Sequence, residues 1–259
     1  MIVVSAFLFV QIGFAQESQS SSEADLIRAG RVALREARPL RPGETVESDF
    51  KVMFGPDDVV GAAVVILRRS KNPSPVSYTY ENRAALRAPN GERRLARVYA
   101  VLGEHFRPVR VEVHRRQLRA DGSEGAVIQR AVVTEKGVEV VEETGGEKTK
   151  TEAPPLPDPT VYGLETIVQL VDFRKHPSYA LHEFDVSTGK TRRLHVSLDA
   201  WRDGTPTILT MLPEGMGSYQ FWFDEKGRLL RWAERSMPLM FVRTSREEAR
   251  ALLDEITGK

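Results

Sequence analysis

The chain contains no cysteine. That excludes disulfides, thiolate catalysis, Cys-based zinc sites and a lipid-modified N-terminal Cys, so an exported domain of this length would rest on its core alone. It also lacks an Asn-x-Ser/Thr sequon, because Asn72 is followed by Pro73. With an arginine-rich composition, this leans towards a bacterial cell envelope. An excess of one charge sign is missing as well: Lys plus Arg total 37 against 36 Asp plus Glu. A nucleic-acid binder normally carries surplus cations to displace counterions from phosphates, so no nucleic-acid partner is expected. Local pairs such as Arg68-Arg69, Arg93-Arg94 and Arg115-Arg116 are interspersed with acidic residues. Beyond the N-terminus there is no apolar run of the roughly 20 residues needed to cross a bilayer as a helix.

What is present begins with the apolar, uncharged stretch Met1–Ala15, followed by the polar Gln16–Ser22. Gly13 and Ala15 are the small residues that a signal peptidase requires three and one positions before its cut. The expectation is a signal peptide over 1–15, a disordered leader over 16–22, and an exported protein of the periplasm or medium that is not an integral membrane protein after cleavage. No Lys or Arg precedes the apolar run, which keeps an uncleaved signal anchor as the alternative. The apolar fraction of 41% and charged fraction of 28% are those of a globular chain.

From Ser22, a candidate N-cap, residues Glu23 to Arg38 place Leu26, Ile27, Gly30, Ala33, Leu34 and Ala37 at helical spacing until Pro39 and Pro42-Gly43. The period then drops to two. Val109, Val111 and Val113 alternate with Arg110, Glu112 and His114, and Leu194, Val196 and Leu198 alternate with Arg193, His195 and Ser197. Further candidate strands are Phe50–Phe54, Val59–Arg68, Val76–Arg87, Arg94–Leu102, Ala126–Thr134, Val138–Glu143, Ala180–Val186 and Thr207–Leu212. Tyr219–Asp224, Leu229–Glu234 and Leu239–Val242 complete the set. Turn dipeptides at Asn90-Gly91, Asp121-Gly122, Lys136-Gly137, Gly145-Gly146, Thr188-Gly189, Asp203-Gly204 and Lys226-Gly227 separate them too closely for crossover helices, so the sheet is mainly antiparallel. The regular spacing breaks at Lys148–Thr160, with Pro154, Pro155, Pro157 and Pro159. Val161, Leu164, Ile167, Val168 and Val171 then share one helical face, which predicts a Pro-rich linker and short helix over 148–172. Ser245-Arg246-Glu247-Glu248 has the capping-box form and opens a C-terminal helix with the stripe Ala249, Leu252, Leu253, Ile256. The predicted fold is mainly β (α+β), a large curved antiparallel sheet with N-terminal, inserted and C-terminal helices, forming one domain over 23–259.

The chemical motifs are weak. Ser187-Thr188-Gly189-Lys190-Thr191 ends like a phosphate loop, but Phe184 stands where its first glycine belongs and a strand follows, so the spacing predicts a hairpin turn. His182-Glu183 opens like a zinc-protease helix, yet Val186 occupies the second histidine's place. The remaining histidines (His105, His114, His176, His195) show no ligand spacing. No Gly-x-Ser-x-Gly elbow occurs, and Gly215-Met216-Gly217-Ser218 lacks the third glycine and the helix of a dinucleotide site. No catalytic residue, metal or cofactor is expected. The aromatic segments carry more. In Tyr219–Asp224 one face bears Tyr219, Phe221 and Phe223 and the other Trp222, and the next strand carries Trp232. Strands apolar on both faces are covered on both, or line a cavity. Phe221, Trp222 and Trp232 are therefore the candidate wall of a ligand groove.

An N-terminal export signal, successive hairpins, an inserted helix and the late Phe223–Leu230 hairpin resemble the envelope β-meander proteins and, more distantly, the lipoprotein-localisation carriers. The resemblance covers residues 45–242 and implies a curved sheet wrapped around helices as an open half-barrel. It makes the leading expectation a non-enzymatic envelope protein that binds an apolar ligand, a lipid or lipoprotein segment. The alternatives are a structural or protein-interaction module of the envelope, using a sheet edge or the Pro-rich 153–159 segment, and a secreted hydrolase with an unrecognised site.

Overall fold

The computed structural model describes residues 22–72, 78–202, 205–213, 218–234 and 238–258. The apolar stretch Met1–Ala15, the leader up to Ser21, the start of the expected Val76–Arg87 strand, and the turns at Asp203-Gly204 and Gly215-Met216-Gly217 lie outside them. Helix α1 (Glu23–Glu36) starts at Ser22, whose hydroxyl accepts the Asp25 amide at 3.2 Å. A first meander follows: β1 (Thr45–Phe54), β2 (Asp58–Arg69), β3 (Tyr78–Arg87), β4 (Arg93–Leu102), β5 (Pro108–Leu118), β6 (Glu124–Val133), β7 (Val138–Thr144) and β8 (Glu147–Ala153). The short β9 (Thr160–Val161) and the single-turn helix α2 (Leu164–Ile167) come next. A second meander comprises β10 (Ser178–Asp185), β11 (Lys190–Arg202), β12 (Thr205–Pro213), β13 (Tyr219–Phe223), β14 (Leu229–Glu234) and β15 (Leu239–Arg243). Helix α3 (Arg246–Thr257) closes the chain, its Ser245 cap accepting the Glu248 amide at 3.1 Å.

All strands belong to one 15-stranded sheet in the order β8 to β1, then β15 back to β9. β1 pairs antiparallel with β15, Phe50 opposite Arg243 and Phe54 opposite Leu239. The sheet is antiparallel except at β9–β10, and it is not closed: β8 and β9 are its edges. Residues 154–159 run from one edge to the other. Proline has no amide to give a ladder, which suits it to this seam. The Arg107 guanidinium donates to the Leu156 carbonyl at 3.0 Å, and Arg31 pairs with Asp158 at 2.8 Å. The turn between β10 and β11 meets the β7–β8 hairpin here. A Cβ on Gly189, at φ +67°, would lie 3.0 Å from Val140 Cγ2, so a side chain at this turn would press on the opposing strand.

Several expectations change. Residues 148–153 are not linker but most of β8, an exposed edge strand whose Glu147, Lys148, Lys150 and Glu152 protect it from further pairing. The helix expected within 160–172 shrinks to one turn, because Thr160 and Val161 pair with His182 and Glu183 on β10. Its apolar face is nevertheless buried: Val161, Leu164, Ile167, Val168 and Val171 are all in the core. Val109, expected inward with Val111 and Val113, is exposed, since the register shifts between Val101 and Leu102 and leaves it unpaired in a bulge.

The core fills the concave side. Phe50, Leu67, Leu102, Val111, Leu194, Val196, Leu209, Met211 and Leu229 surround a plug built from residues 164–173. β1 to β3 are buried on both faces, because α3 packs across their convex side, where Ala62, Val64 and Ala85 are buried. The near-continuous apolar run Val59–Leu67 reflects that double cover. Gln169 fastens the plug: its carbonyl accepts the Leu229 amide at 3.2 Å, and its amide donates to the Glu165 carbonyl at 2.9 Å. Gln169→Ala leaves the Leu229 N–H unpaired in the core, and is expected to lower the unfolding free energy by ~1–3 kcal/mol, read as a reduced urea midpoint at unchanged slope.

Candidate ligand cleft on the concave face

Beside the plug the concave face holds a cleft of about 650 Å³. It is lined by Tyr80 and Asn82 of β3, Val98 of β4 and Arg115 of β5 from the first meander, and by Glu183, Arg192 and Trp232 of β10, β11 and β14 from the second. Tyr162, Gly163 and Glu165 enter from the plug. Gly163 has φ +81°, and a Cβ there would lie 2.6 Å from the Tyr80 ring, so glycine lets the chain lie against that ring.

The polar groups form ordered pairs. The Tyr80 hydroxyl donates to Glu165 Oε1 at 2.5 Å and accepts Asn82 Nδ2 at 3.2 Å. Burial pushes the Glu165 carboxyl above the ordinary carboxylate range, with the Tyr80 hydrogen bond pulling the other way. Burial raises Tyr80 too, which keeps its hydroxyl protonated as the donor. Arg192 holds Glu183 through Nη2 at 2.5 Å and Nε at 2.6 Å, and burial still pushes Glu183 up. Arg115 donates to Gln129 Oε1 at 2.7 Å, and Gln129 donates to Glu142 at 2.7 Å. The rings of Tyr80 and Tyr162 meet edge to face, centroids 5.6 Å apart at 88°.

The three candidate wall residues separate. Trp232 lines the cleft, stacked on Phe241 with centroids 3.9 Å apart at 6°. Its buried indole N–H has no acceptor among the described residues. Phe221, 3% exposed, lies in the core with its ring 6.2 Å from that of Trp232. Trp222 is on the opposite, convex face beneath the Arg231 guanidinium at 4.4 Å. The register explains the split, since Phe221 opposes Trp232 and Trp222 opposes Arg231. Thr188-Gly189 is the β10–β11 turn, and His182 sits on a strand. His114 pairs with Glu112 at 2.6 Å and His195 with Ser178 at 3.0 Å, on β5 and β11, and neither lines the cleft. Among the described residues no three His, Asp or Glu side chains group for a metal.

Sequence reasoning missed Tyr80, Asn82, Arg115, Tyr162, Glu165, Glu183 and Arg192. A signal for some of them existed. Along β3 the inward positions read Tyr78, Tyr80, Asn82, and along β5 Val111, Val113, Arg115, so a polar residue enters the buried register on nearby strands. Such a site can bind, because half-buried donors, acceptors and a Trp face converge on one space.

Glu165 supplies a pH test. Its raised folded value means the native state binds more protons than the unfolded chain between the ordinary carboxylate pKa and the folded one, so stability falls as pH rises through that window. Glu165→Gln can still accept from Tyr80. It is expected to flatten this slope and to melt higher than wild type at pH 7.5, with little difference at pH 4.5. A melting curve series across that range checks it.

No family model matches the chain, and no curated protein matches it. A solved structure does: the beta-barrel-like protein of domain of unknown function DUF1849 from Brucella abortus is similar at a TM-score of 0.52 and 10% identity, covering 80% of this chain and 98% of that one. That likeness is one of fold, a curved antiparallel β architecture.

Proposed function

We propose that the protein is an exported, non-enzymatic binding protein of the cell envelope that takes an amphipathic ligand, part of a lipid or of a lipoprotein segment, into the concave cleft. The carrying observation is that cleft of about 650 Å³, within the size range of small-ligand sites, with the Trp232 side chain in its wall beside a cluster of polar groups. Trp232, Val98, Phe184 and Val186 offer apolar surface, while Tyr80, Asn82 and Glu165 offer a polar end. This mixed lining favours an amphiphile over a purely apolar guest. The same polar groups carry desolvation costs that a hydrophobic filling would avoid, which favours retention for binding over retention for stability.

Export is supported by the apolar Met1–Ala15 stretch and the small residues Gly13 and Ala15. No described helix is long and apolar enough to cross a membrane. Docking through a sheet edge draws less support, because β8 is charged along its length and the seam carbonyls of Leu156 and Asp158 are already bound by Arg107 and Arg31.

Titration with a lysophospholipid below its micelle concentration tests the reading. Tryptophan emission is expected to change saturably in wild type and in Trp222→Phe, and to lose that change in Trp232→Phe. An unsaturable response, or one that follows Trp222, contradicts it.

A further inference from the structure

The cleft is lined by three cations and three carboxylates, and one of those carboxylates specifies the ligand's polar end. Arg192 is paired with Glu183. Lys190 stands directly across the ladder from Asp185, whose carboxylate also accepts from Ser187 and Thr188. Arg115 is joined to Glu142 through Gln129. Glu165 has no cation beside it among the described residues. Its carboxyl accepts from the Tyr80 hydroxyl and from its own backbone amide, both neutral, and the charged neighbour that acts on it is another carboxylate, Glu183. Tyr162 stands beside the same carboxylates: Glu165, Glu183 and Asp185 all raise its hydroxyl's pKa after burial, and Arg115 opposes them.

The neighbouring surfaces suit a positive guest as well. Tyr80 and Tyr162 meet at right angles beside Glu165, and aromatic faces attract cations through their quadrupole, most strongly in desolvated sites. A phosphate or carboxylate at this place would meet the Glu165 carboxyl, which is unfavourable to a second negative charge. Resting on the proposed amphiphile-binding role, we propose that the cleft selects ligands bearing an ammonium group, which docks at Glu165 beside the Tyr80–Tyr162 ring pair while the apolar part lies along Trp232. The ammonium has two available sources, an amine-bearing lipid head group or a lysine side chain of a lipoprotein segment, and both present the same chemistry to Glu165. Loss of the guest's hydration is offset by the carboxylate, which ionises fully once a cation is bound.

The test compares lysophospholipids of one chain length with choline, ethanolamine and glycerol head groups, together with an N-acylated lysine peptide and its norleucine counterpart, against the full chain. Choline, ethanolamine and lysine probes are expected to bind at least tenfold more tightly than the glycerol and norleucine ones. Glu165→Gln is expected to bring the affinities of the choline, ethanolamine and glycerol probes to within about twofold of one another. Tyr80→Phe, which keeps the ring and removes the hydrogen bond, is expected to retain the preference and guards against a Glu165 variant that fails to fold. A lipid-only or lysine-only preference identifies the source and supports the assignment. Equal affinity for all head groups overturns it and leaves the binding role standing, whereas absence of binding by every probe overturns both.

Discussion

The pairing of β1 with β15 is the contact on which the rest of the structure depends. It joins the start of the first meander to the end of the second, so two runs of hairpins become one 15-stranded sheet. Every other strand pair forms between neighbours in sequence, but Phe50 meets Arg243 across almost the whole chain. Once that ladder forms, β1 to β3 are central strands, and both of their faces need cover. The plug supplies it on the concave side and α3 on the convex side. Arg243 strengthens the junction, donating to the Leu229 carbonyl at 3.1 Å and the Glu47 carbonyl at 3.3 Å. With the chain's ends spent at the sheet's centre, its free edges fall to β8 and β9, the strands on either side of the chain's proline-rich midpoint. Charge, a two-residue strand and the Arg107–Leu156 contact protect them.

Curvature brings the two meanders face to face, and the plug occupies most of the space between them. The remaining volume is where polar inward positions cluster. Tyr80 and Asn82 come from one meander, Glu183 and Arg192 from the other, and Glu165 from the plug, so the cleft exists only in the assembled sheet. A core of this kind gives up some stability, since Glu165 and Glu183 are both held above their ordinary ionisation by burial. The Trp232–Phe241 stack lies on β14 and β15, which sets the cleft's aromatic wall next to the central pairing.

Much of the architecture was legible in the sequence, because period-two alternation and Gly-bearing turns are local properties. The helix caps at Ser22 and Ser245, and the hairpin at Thr188-Gly189, followed from a few adjacent residues. What was not legible is non-local. Residues 148–153 have the charge of a linker and become a strand because β7 offers them a ladder. Val109 breaks its own alternation through a bulge that no residue type announces. The wall residues Phe221 and Trp222 differ only in parity, and which parity faces inward depends on the curvature of the whole sheet. Glu165 was hidden for the same reason: its neighbours in space, Tyr80 and Glu183, are distant in sequence.

The indole N–H of Trp232 is the most direct probe of the central claim that the concave cleft binds a ligand. In a ¹⁵N-correlated NMR spectrum of the labelled protein, addition of an envelope lipid extract is predicted to shift the Trp232 indole resonance, because that side chain lines the cleft, while the Trp222 indole on the convex face stays in place. A Trp232 resonance that does not respond, or a shift confined to Trp222, would contradict the account.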